Sequence, residues 1–141
     1  MSSIDDCILI NLPMIHAAEG NITPVQGGKD IPFDIARVFF LYDVPGGAER
    51  GGHAHHVLQQ IIVAIMGAFD IVLDDGERRR TVRLNRAYHG LYVPNLIWHE
   101  LVAFSSGGIC LSLASTHFDE EDYIRDHDTF AGVKRRTRSV S

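Results

Sequence analysis

Cysteine, positive charge and long apolar runs are all scarce in this sequence of 141 residues. Its two cysteines, Cys7 and Cys110, lie far apart, which offers no basis for a disulfide framework. The N-terminal residues also lack the basic and apolar regions of a secretory signal peptide. We therefore expect reduced thiols in a cytoplasmic protein.

The charge balance and the hydropathy argue against two classes of partner. The formal net charge is −5, whereas nucleic-acid binding needs a basic face that replaces phosphate counterions. No apolar run approaches the roughly 20 residues of a membrane-spanning helix. We expect neither a nucleic-acid nor a membrane partner, and an anionic ligand would need a local cluster of arginines.

Short apolar runs punctuated by glycine and proline are, in contrast, abundant. Thirteen glycines and five prolines are spread along the chain, which is typical of a strand-rich sandwich or barrel. Residues 60–66 and 69–73 are mostly apolar, and the turn sequence Asp74-Asp75-Gly76 leads into the alternating segment RRRTVRL. This pattern predicts a β-hairpin inside an all-β, closed or double-sheet fold.

The two ends of the chain are expected to differ from the middle. Residues 1–30 contain a short apolar run before Pro13 and predict one or two strands with a long turn. The segment DEEDYIRDHDTF has helical spacing, with Asp119 to Asp122 suited to the positive N-terminus of a short helix. The basic residues 134–141 are expected to be flexible. We predict one domain over residues 1–133, followed by a tail.

Three histidines lie within four positions: His53, His55 and His56. Residues two apart in a strand point to the same face, so His53 and His55 can project together, whereas His56 points outward or lies at a rim. Histidines at a strand entry can be polar groups without chemistry. An alternating pair within a glycine framework favours a functional site, either for a metal or for proton transfer.

The spacing around this pair resembles the first signature of the cupin superfamily. Residues 47–67 follow the pattern GX5HXHX4QX6G, with Gln60 where the signature usually has Glu. The segment PNLIWH, residues 94–99, is similar to the second signature, with Leu96 where Gly is usual. The resemblance implies a double-stranded β-helix, a jelly-roll barrel whose interior holds the active site, here with a short C-terminal helix.

The resemblance also raises the question of a metal. Metal-dependent cupins bind the ion at positions that correspond here to His53, His55, Gln60 and His99. An amide in place of the carboxylate removes the only anionic ligand, although three imidazoles can still hold zinc or iron. We expect no metal and no other cofactor, and a metal-dependent cupin enzyme using the three histidines remains an alternative.

A narrower family is indicated by four segments in order: RGGHAHHVLQQ, LDDG, GLYVPNLIWHELVAFSSG and LASTHFDEEDYIRDHDTF. Over residues 31–130 they resemble the sugar 3,4-ketoisomerases that act on thymidine-diphosphate-linked (dTDP) 4-keto-6-deoxyglucose, including the WxcM-like enzymes. The resemblance implies an isomerase of nucleotide-deoxysugar biosynthesis without a metal. It also implies a homodimer, often with N-terminal strands exchanged between subunits.

The implied reaction moves a ketone from C4 to C3 of the sugar through an enediol or enediolate. By resemblance, His53 is the candidate base at C3 and His55 its partner in proton delivery or positioning, roles that suit an imidazole pKa near 6.5. The spacing alone does not decide which of the two histidines is the base. Arginine suits the diphosphate, hydrogen-bond donors suit the enediolate oxygen, and aromatic rings suit thymine. The expected substrate-binding residues are Arg37, Tyr42, Arg50, Gln60, Tyr92, Trp98 and His99.

Two further hypotheses stay open. A cupin of this kind could bind a nucleotide sugar without catalysis, as a regulatory or docking module. It could also be a 3,5-epimerase of the same barrel type, which typically uses a histidine with a carboxylate partner and a tyrosine acid. The sequence offers no equally clear match for that histidine–carboxylate pair.

Overall fold

The computed structural model describes residues 2–140. Two five-stranded sheets form the body of the molecule, and every strand pair in them is antiparallel. The strands are β1 Ile8–Asn11, β2 Ile15–Ala17, β3 Gly20–Ile22, β4 Arg37–Leu41, β5 Arg50–His55, β6 Gln60–Met66, β7 Phe69–Asp74, β8 Arg79–Leu84, β9 His89–Val93, β10 Trp98–Val102, β11 Ile109–Ala114 and β12 Tyr123–Ile124. One α-helix, α1, spans His127–Val140, and single 3-10 turns span Ile4–Asp6 and Glu120–Asp122.

The order of strands is that of a jelly roll. The first sheet runs β1-β9-β6-β11-β4 and the second β12-β5-β10-β7-β8, so most neighbours are not consecutive in the chain. Strands β2 and β3 form a separate hairpin. The prediction of an all-β jelly-roll barrel with a C-terminal helix is confirmed.

The main core lies between the two sheets. Alternation along β6 turns Ile62 and Ala64 inward, where they join Phe69, Ile71 and Leu73 of β7 in one buried cluster. Ile61 and Val63 of β6 point outward and are covered by residues of the segment before β4. Burying each large apolar side chain stabilises the fold by about 1.5–3 kcal/mol.

The predicted hairpin is present between β7 and β8, with Asp74 opposite Arg79. Gly76 has a φ of 92°, a left-handed conformation that glycine adopts without a steric penalty. The Asp75 carboxylate accepts hydrogen bonds from the backbone N–H groups of Glu77 and Arg78. The turn is therefore stabilised by its own residues, which is why the local sequence predicts it.

The C-terminal region differs from the prediction. Asp119 caps a 3-10 turn, but Tyr123 and Ile124 then pair with β5 instead of continuing a helix. Sheet pairing prevails over the helical spacing here, and α1 begins only at His127. The predicted helix start was therefore wrong.

Helix α1 continues through most of the segment that was expected to be flexible. Phe130 packs in a cluster with Ala54 and Trp98 on the outer face of the second sheet. Lys134 is 1% exposed. The structure thus places residues 134–140 in α1, where the sequence predicted a flexible tail; Met1 and Ser141 lie outside the described residues. Within the described part of the chain, no helix is long and apolar enough to cross a membrane.

Candidate active site

A cavity of about 210 Å³ lies inside the barrel and opens at one end. Its walls come from both sheets, so residues distant in sequence meet in it. The lining residues are Phe39, Leu41, Arg50, Gly51, His53, Gln60, Ile62, His99, Leu101, Cys110, Ser112, Tyr123 and Arg125.

Strand β5 places the two predicted catalytic histidines beside each other. Ala54 points outward into the cluster under α1, so its neighbours His53 and His55 point inward. Their ring centroids are 4.9 Å apart in an edge-to-face arrangement, and His53 lines the cavity. His56 is exposed, as its parity predicted. The alternation of the strand thus sets the geometry of the site.

Both imidazoles are held neutral by their surroundings. Burial, followed by the neighbouring His99 and then by nearby cationic groups, lowers the pKa of His53 to about 3. Burial and the adjacent His99 and His53 rings lower the pKa of His55 to about 2. Each ring therefore reaches pH 7 with an unprotonated nitrogen that can accept a proton.

His99 lies opposite His53 on β10 and is tied into a buried network. Its Nδ1 lies 3.2 Å from the carbonyl oxygen of Ile97, to which it must donate. Its Nε2 then accepts from the Gln60 amide nitrogen at 3.0 Å, and Ser112 donates to Gln60 Oε1 at 2.8 Å. Burial lowers the pKa of His99 to about 4, in keeping with a neutral ring. Gln60 thus holds His99 in one tautomer.

The three histidines do not fit a metal in this arrangement. Their nearest ring nitrogens lie within 4.8 Å of one another, as a metal site requires. However, the lone pair of His99 Nε2 is already used by Gln60, and its Nδ1 carries the proton. Two neutral imidazoles without a carboxylate fall short of the usual ligand set of zinc or iron.

The segment after β11 brings groups to the cavity that the sequence did not reveal. The Tyr123 ring lies 5.0 Å from His53 and 4.4 Å from His55, measured between centroids. The Arg125 guanidinium stacks over Tyr123 at 4.4 Å. Asp122 Oδ2 lies 3.5 Å from Nδ1 of His55. The sequence predicted a helix for this segment because of its helical spacing. Its pairing with β5 places it at the cavity instead.

Two of the predicted arginines lie at the site. Arg50 lines the cavity. Arg37 Nη2 donates to the Tyr123 hydroxyl at 3.4 Å, and its guanidinium lies 5.0 Å from the Phe39 ring. Its Nε is buried without a hydrogen-bond partner among the described residues.

The three predicted aromatic residues lie elsewhere. Tyr42 is 61% exposed on the outside of the barrel. Tyr92 packs on the outer face of the first sheet, where its hydroxyl donates to Gln59 Oε1 at 2.6 Å. Trp98 points outward against α1, with its ring 5.9 Å from that of Phe130. None of the three lines the cavity, because closeness to a motif in sequence does not decide which face of a strand a side chain occupies; their role in substrate binding stays a prediction.

The fold and the cavity define the class first: a cupin-type barrel with a histidine-lined interior. Comparison with known proteins assigns the chain to one family within this class. The chain belongs to the FdtA family, described as WxcM-like, C-terminal, whose model matches residues 5–135.

Relatives with assigned activities span most of the chain. The TDP-4-oxo-6-deoxy-α-D-glucose-3,4-oxoisomerase of Aneurinibacillus thermoaerophilus is 39% identical over 122 residues, which cover 86% of this chain and 88% of that protein. QdtA, a sugar 3,4-ketoisomerase from Thermoanaerobacterium thermosaccharolyticum solved in complex with TDP, is 34% identical with a TM-score of 0.92. The match covers 96% of this chain and 98% of QdtA.

A more distant structure shares the fold alone. The dTDP-4-dehydrorhamnose 3,5-epimerase of Bacillus anthracis has a TM-score of 0.75 at 16% identity, over 87% of this chain and 79% of the epimerase. The Aneurinibacillus and Thermoanaerobacterium relatives are 3,4-ketoisomerases, as is a 35% identical protein from Helicobacter canadensis.

Proposed function

We propose that this protein is a 3,4-ketoisomerase acting on dTDP-4-keto-6-deoxy-D-glucose. The observation that carries the proposal is the neutral pair His53 and His55, of which His53 lines the cavity, in a chain whose relatives catalyse this reaction. A QdtA variant has been solved with TDP-4-keto-6-deoxyglucose, at 34% identity and a TM-score of 0.92 to this chain. The substrate therefore fits both the family and the chemistry of the cavity.

The reaction needs only the movement of protons. His53 accepts the proton from C3, which the adjacent C4 ketone acidifies, and the electrons pass to O4 to form an enediolate. The proton of the C3 hydroxyl is then lost as O4 gains one, and a proton delivered to C4 leaves the ketone at C3. His55 is the second proton-transfer group in this scheme.

The low pKa of His53 suits the return of the proton. A protonated imidazole in this desolvated position is a strong acid, so it gives its proton up readily. The negative enediolate beside it offsets the cost of the charged ring while both exist. The same burial therefore keeps the base neutral at rest and makes its conjugate acid reactive.

Arginines supply the positive charge that a nucleotide diphosphate requires. Arg50 and Arg125 line the cavity, and Arg37 keeps an unpaired N–H among the described residues. We propose that these residues contact the diphosphate or sugar, with Gln60 as a donor and His99 as a spacer beside the sugar ring. Arginine pairs with phosphate oxygens through two parallel hydrogen bonds.

We propose a homodimer with exchanged N-terminal strands as the active form. All residues of the β2–β3 hairpin are exposed, and among residues 2–140 it pairs with neither sheet. Large apolar side chains are exposed on this hairpin and on the outer face of β4, including Ile15, Ile22, Val38 and Phe40. A second copy would cover a surface that is costly to leave in water.

The state of the cysteines fits the cytoplasmic location that we propose. Cys7 and Cys110 are free and buried. Burial raises the pKa of each thiol to about 12, so both stay protonated. Free thiols are the rule in reducing compartments.

Proton NMR of the chelator-treated protein with dTDP-4-keto-6-deoxyglucose in deuterated buffer tests the function. We expect a 3-keto sugar with deuterium at C4, formed without added metal. Deuterium at C3 and C5 with the ketone still at C4 would indicate the 3,5-epimerase, a candidate kept by the His55–Asp122 contact beside Tyr123. Turnover only after addition of zinc or iron would contradict the metal-independent mechanism, and an unchanged sugar would indicate a binding protein.

A further inference from the structure

Asp122 presents a carboxylate to the ring of His55 from outside the cavity wall. Its Oδ2 lies 3.5 Å from His55 Nδ1, and both side chains are largely buried, with 13% and 4% of their surfaces exposed. That Nδ1 has no hydrogen-bond partner among the described residues, and the Asp122 carboxylate lies at ion-pair distance from it. The carboxylate is therefore the group with which this ring nitrogen can interact.

The position of Asp122 is held by the turn that follows His55. Its Oδ1 accepts from the backbone N–H of Val57 at 2.8 Å, and its Oδ2 accepts from that of Leu58 at 3.2 Å. Its own carbonyl oxygen accepts from the backbone N–H of His56 at 3.0 Å. Three hydrogen bonds, two to the carboxylate and one to the main-chain carbonyl, thus attach Asp122 to the chain that carries the histidine.

The register between β12 and β5 places the main chain of Asp122 beside His55. Tyr123 lies opposite His55 in the β12–β5 pair, so the preceding residue, Asp122, falls beside the end of β5. Asp122 also ends the 3-10 turn that Asp119 caps. A carboxylate fixed at both its main chain and its side chain can orient a ring without being rearranged during turnover.

We propose that Asp122 is a positioning residue that holds His55 as the Nδ1–H tautomer, with Nε2 as the free proton acceptor. This inference rests on the proposed function for its catalytic consequence. A carboxylate opposite Nδ1 stabilises a proton on that nitrogen, and it also stabilises the imidazolium formed when Nε2 accepts a second proton. Without the Asp122 carboxylate, nothing disfavours the tautomer of His55 that carries its proton on Nε2. A ring in that tautomer cannot accept a proton at Nε2.

The test compares Asp122→Asn with Glu121→Gln, an exposed acidic neighbour in the same 3-10 turn. Two-dimensional ¹H–¹⁵N NMR of the histidine rings reports the tautomer of His55, whose signals are assigned by their loss in His55→Asn. We expect Nδ1–H in the wild type and in Glu121→Gln, and a mixed or Nε2–H tautomer in Asp122→Asn. We also expect kcat to fall at least about tenfold in Asp122→Asn with KM changed less than about twofold.

Two results would overturn the inference: an Nε2–H tautomer in the folded wild type, or an Asp122→Asn variant that keeps both the wild-type tautomer and kcat. Binding of TDP by calorimetry separates a damaged fold from a misplaced ring, because loss of TDP binding together with kcat would mean that Asp122 is only structural. The NMR experiment needs no turnover. A protein that leaves the sugar unchanged would thus refute the proposed function while the tautomer still decides on Asp122.

Discussion

The three histidines of the site differ in how their ring nitrogens are used. Both nitrogens of His99 are taken by Ile97 and Gln60. His55 faces a carboxylate through Nδ1. His53 lines the cavity, and within the described residues its contacts are ring contacts with His55, His99 and Tyr123. His53 is thus the ring that is most available to a substrate.

Replacing His53 by Asn should therefore remove the base at C3. We expect kcat to fall by at least about 10³-fold, within the range for loss of a general base, while TDP still binds. His56→Asn is the matched control because His56 is exposed, and it should keep wild-type turnover. Turnover by both variants at comparable rates, measured by the NMR assay, would refute the assignment of His53.

Among the elements, α1 and the loop before β10 are joined through a buried cation. Lys134 Nζ donates to the carbonyl oxygens of Ser2 at 2.6 Å and Leu96 at 2.9 Å. Leu96 adopts a left-handed φ of 58°, and its N–H donates to the carbonyl oxygen of His55. Burial lowers the pKa of Lys134. The helix thus supports the turn that holds the end of β5.

Lys134→Ala should destabilise the protein by about 2–4 kcal/mol, because it leaves two carbonyls without a donor and opens a void. Arg135→Ala, on the exposed side of the same helix, should change the free energy of unfolding by less than about 0.5 kcal/mol. Urea denaturation of the two variants measures the difference. Equal stabilities would mean that residue 134 belongs to a flexible tail after all.

For the whole molecule, the buried histidines predict instability in acid. Their folded pKa values of about 3, about 2 and about 4 lie below the 6.5 of the unfolded chain. Below pH 6.5 the unfolded state therefore binds more protons than the folded state. The free energy of unfolding is unaffected by these histidines above pH 6.5, and it decreases as the pH falls toward their folded pKa values. At pH 5 the shifted pKa of each histidine should lower the free energy of unfolding by about 2 kcal/mol.

Urea unfolding at pH 7.5 and pH 5 measures this loss. His53→Asn should show a loss smaller by about one third, since one of the three shifted groups is gone. His56→Asn, whose ring is exposed, should lose as much stability as the wild type. An equal free energy of unfolding at the two pH values would show that the histidines are not desolvated.

The outer face of the first sheet predicts self-association. Phe40 is exposed beside Tyr42, with ring centroids 5.6 Å apart, and Val38 is exposed on the same strand. Phe40→Lys would place a charge in the proposed interface and should shift the protein from dimer to monomer. Light scattering after gel filtration measures the mass, with Val57→Lys, another exposed apolar residue, as control. A wild-type monomer would contradict the proposed dimer.

Much of the fold and part of the site could be predicted from local periodicity in the sequence. The alternation of His53 and His55, the DDG turn and the apolar runs of β6 and β7 each depend on neighbours in sequence, so the sequence alone determined a barrel with two histidines facing inward. The same rule of alternation would have directed Trp98 outward once His99 was placed inward.

Contacts between distant strands were decided only by the tertiary structure. Gln60 meets His99 because β6 and β10 lie in facing sheets, and Asp122 and Tyr123 reach His55 because β12 pairs with β5. The segment carrying Asp122 has helical spacing, and no local pattern overrides that signal. Its conformation depends on hydrogen bonds that a sheet edge supplies from elsewhere in the chain, which is why the sequence alone did not place it at the site.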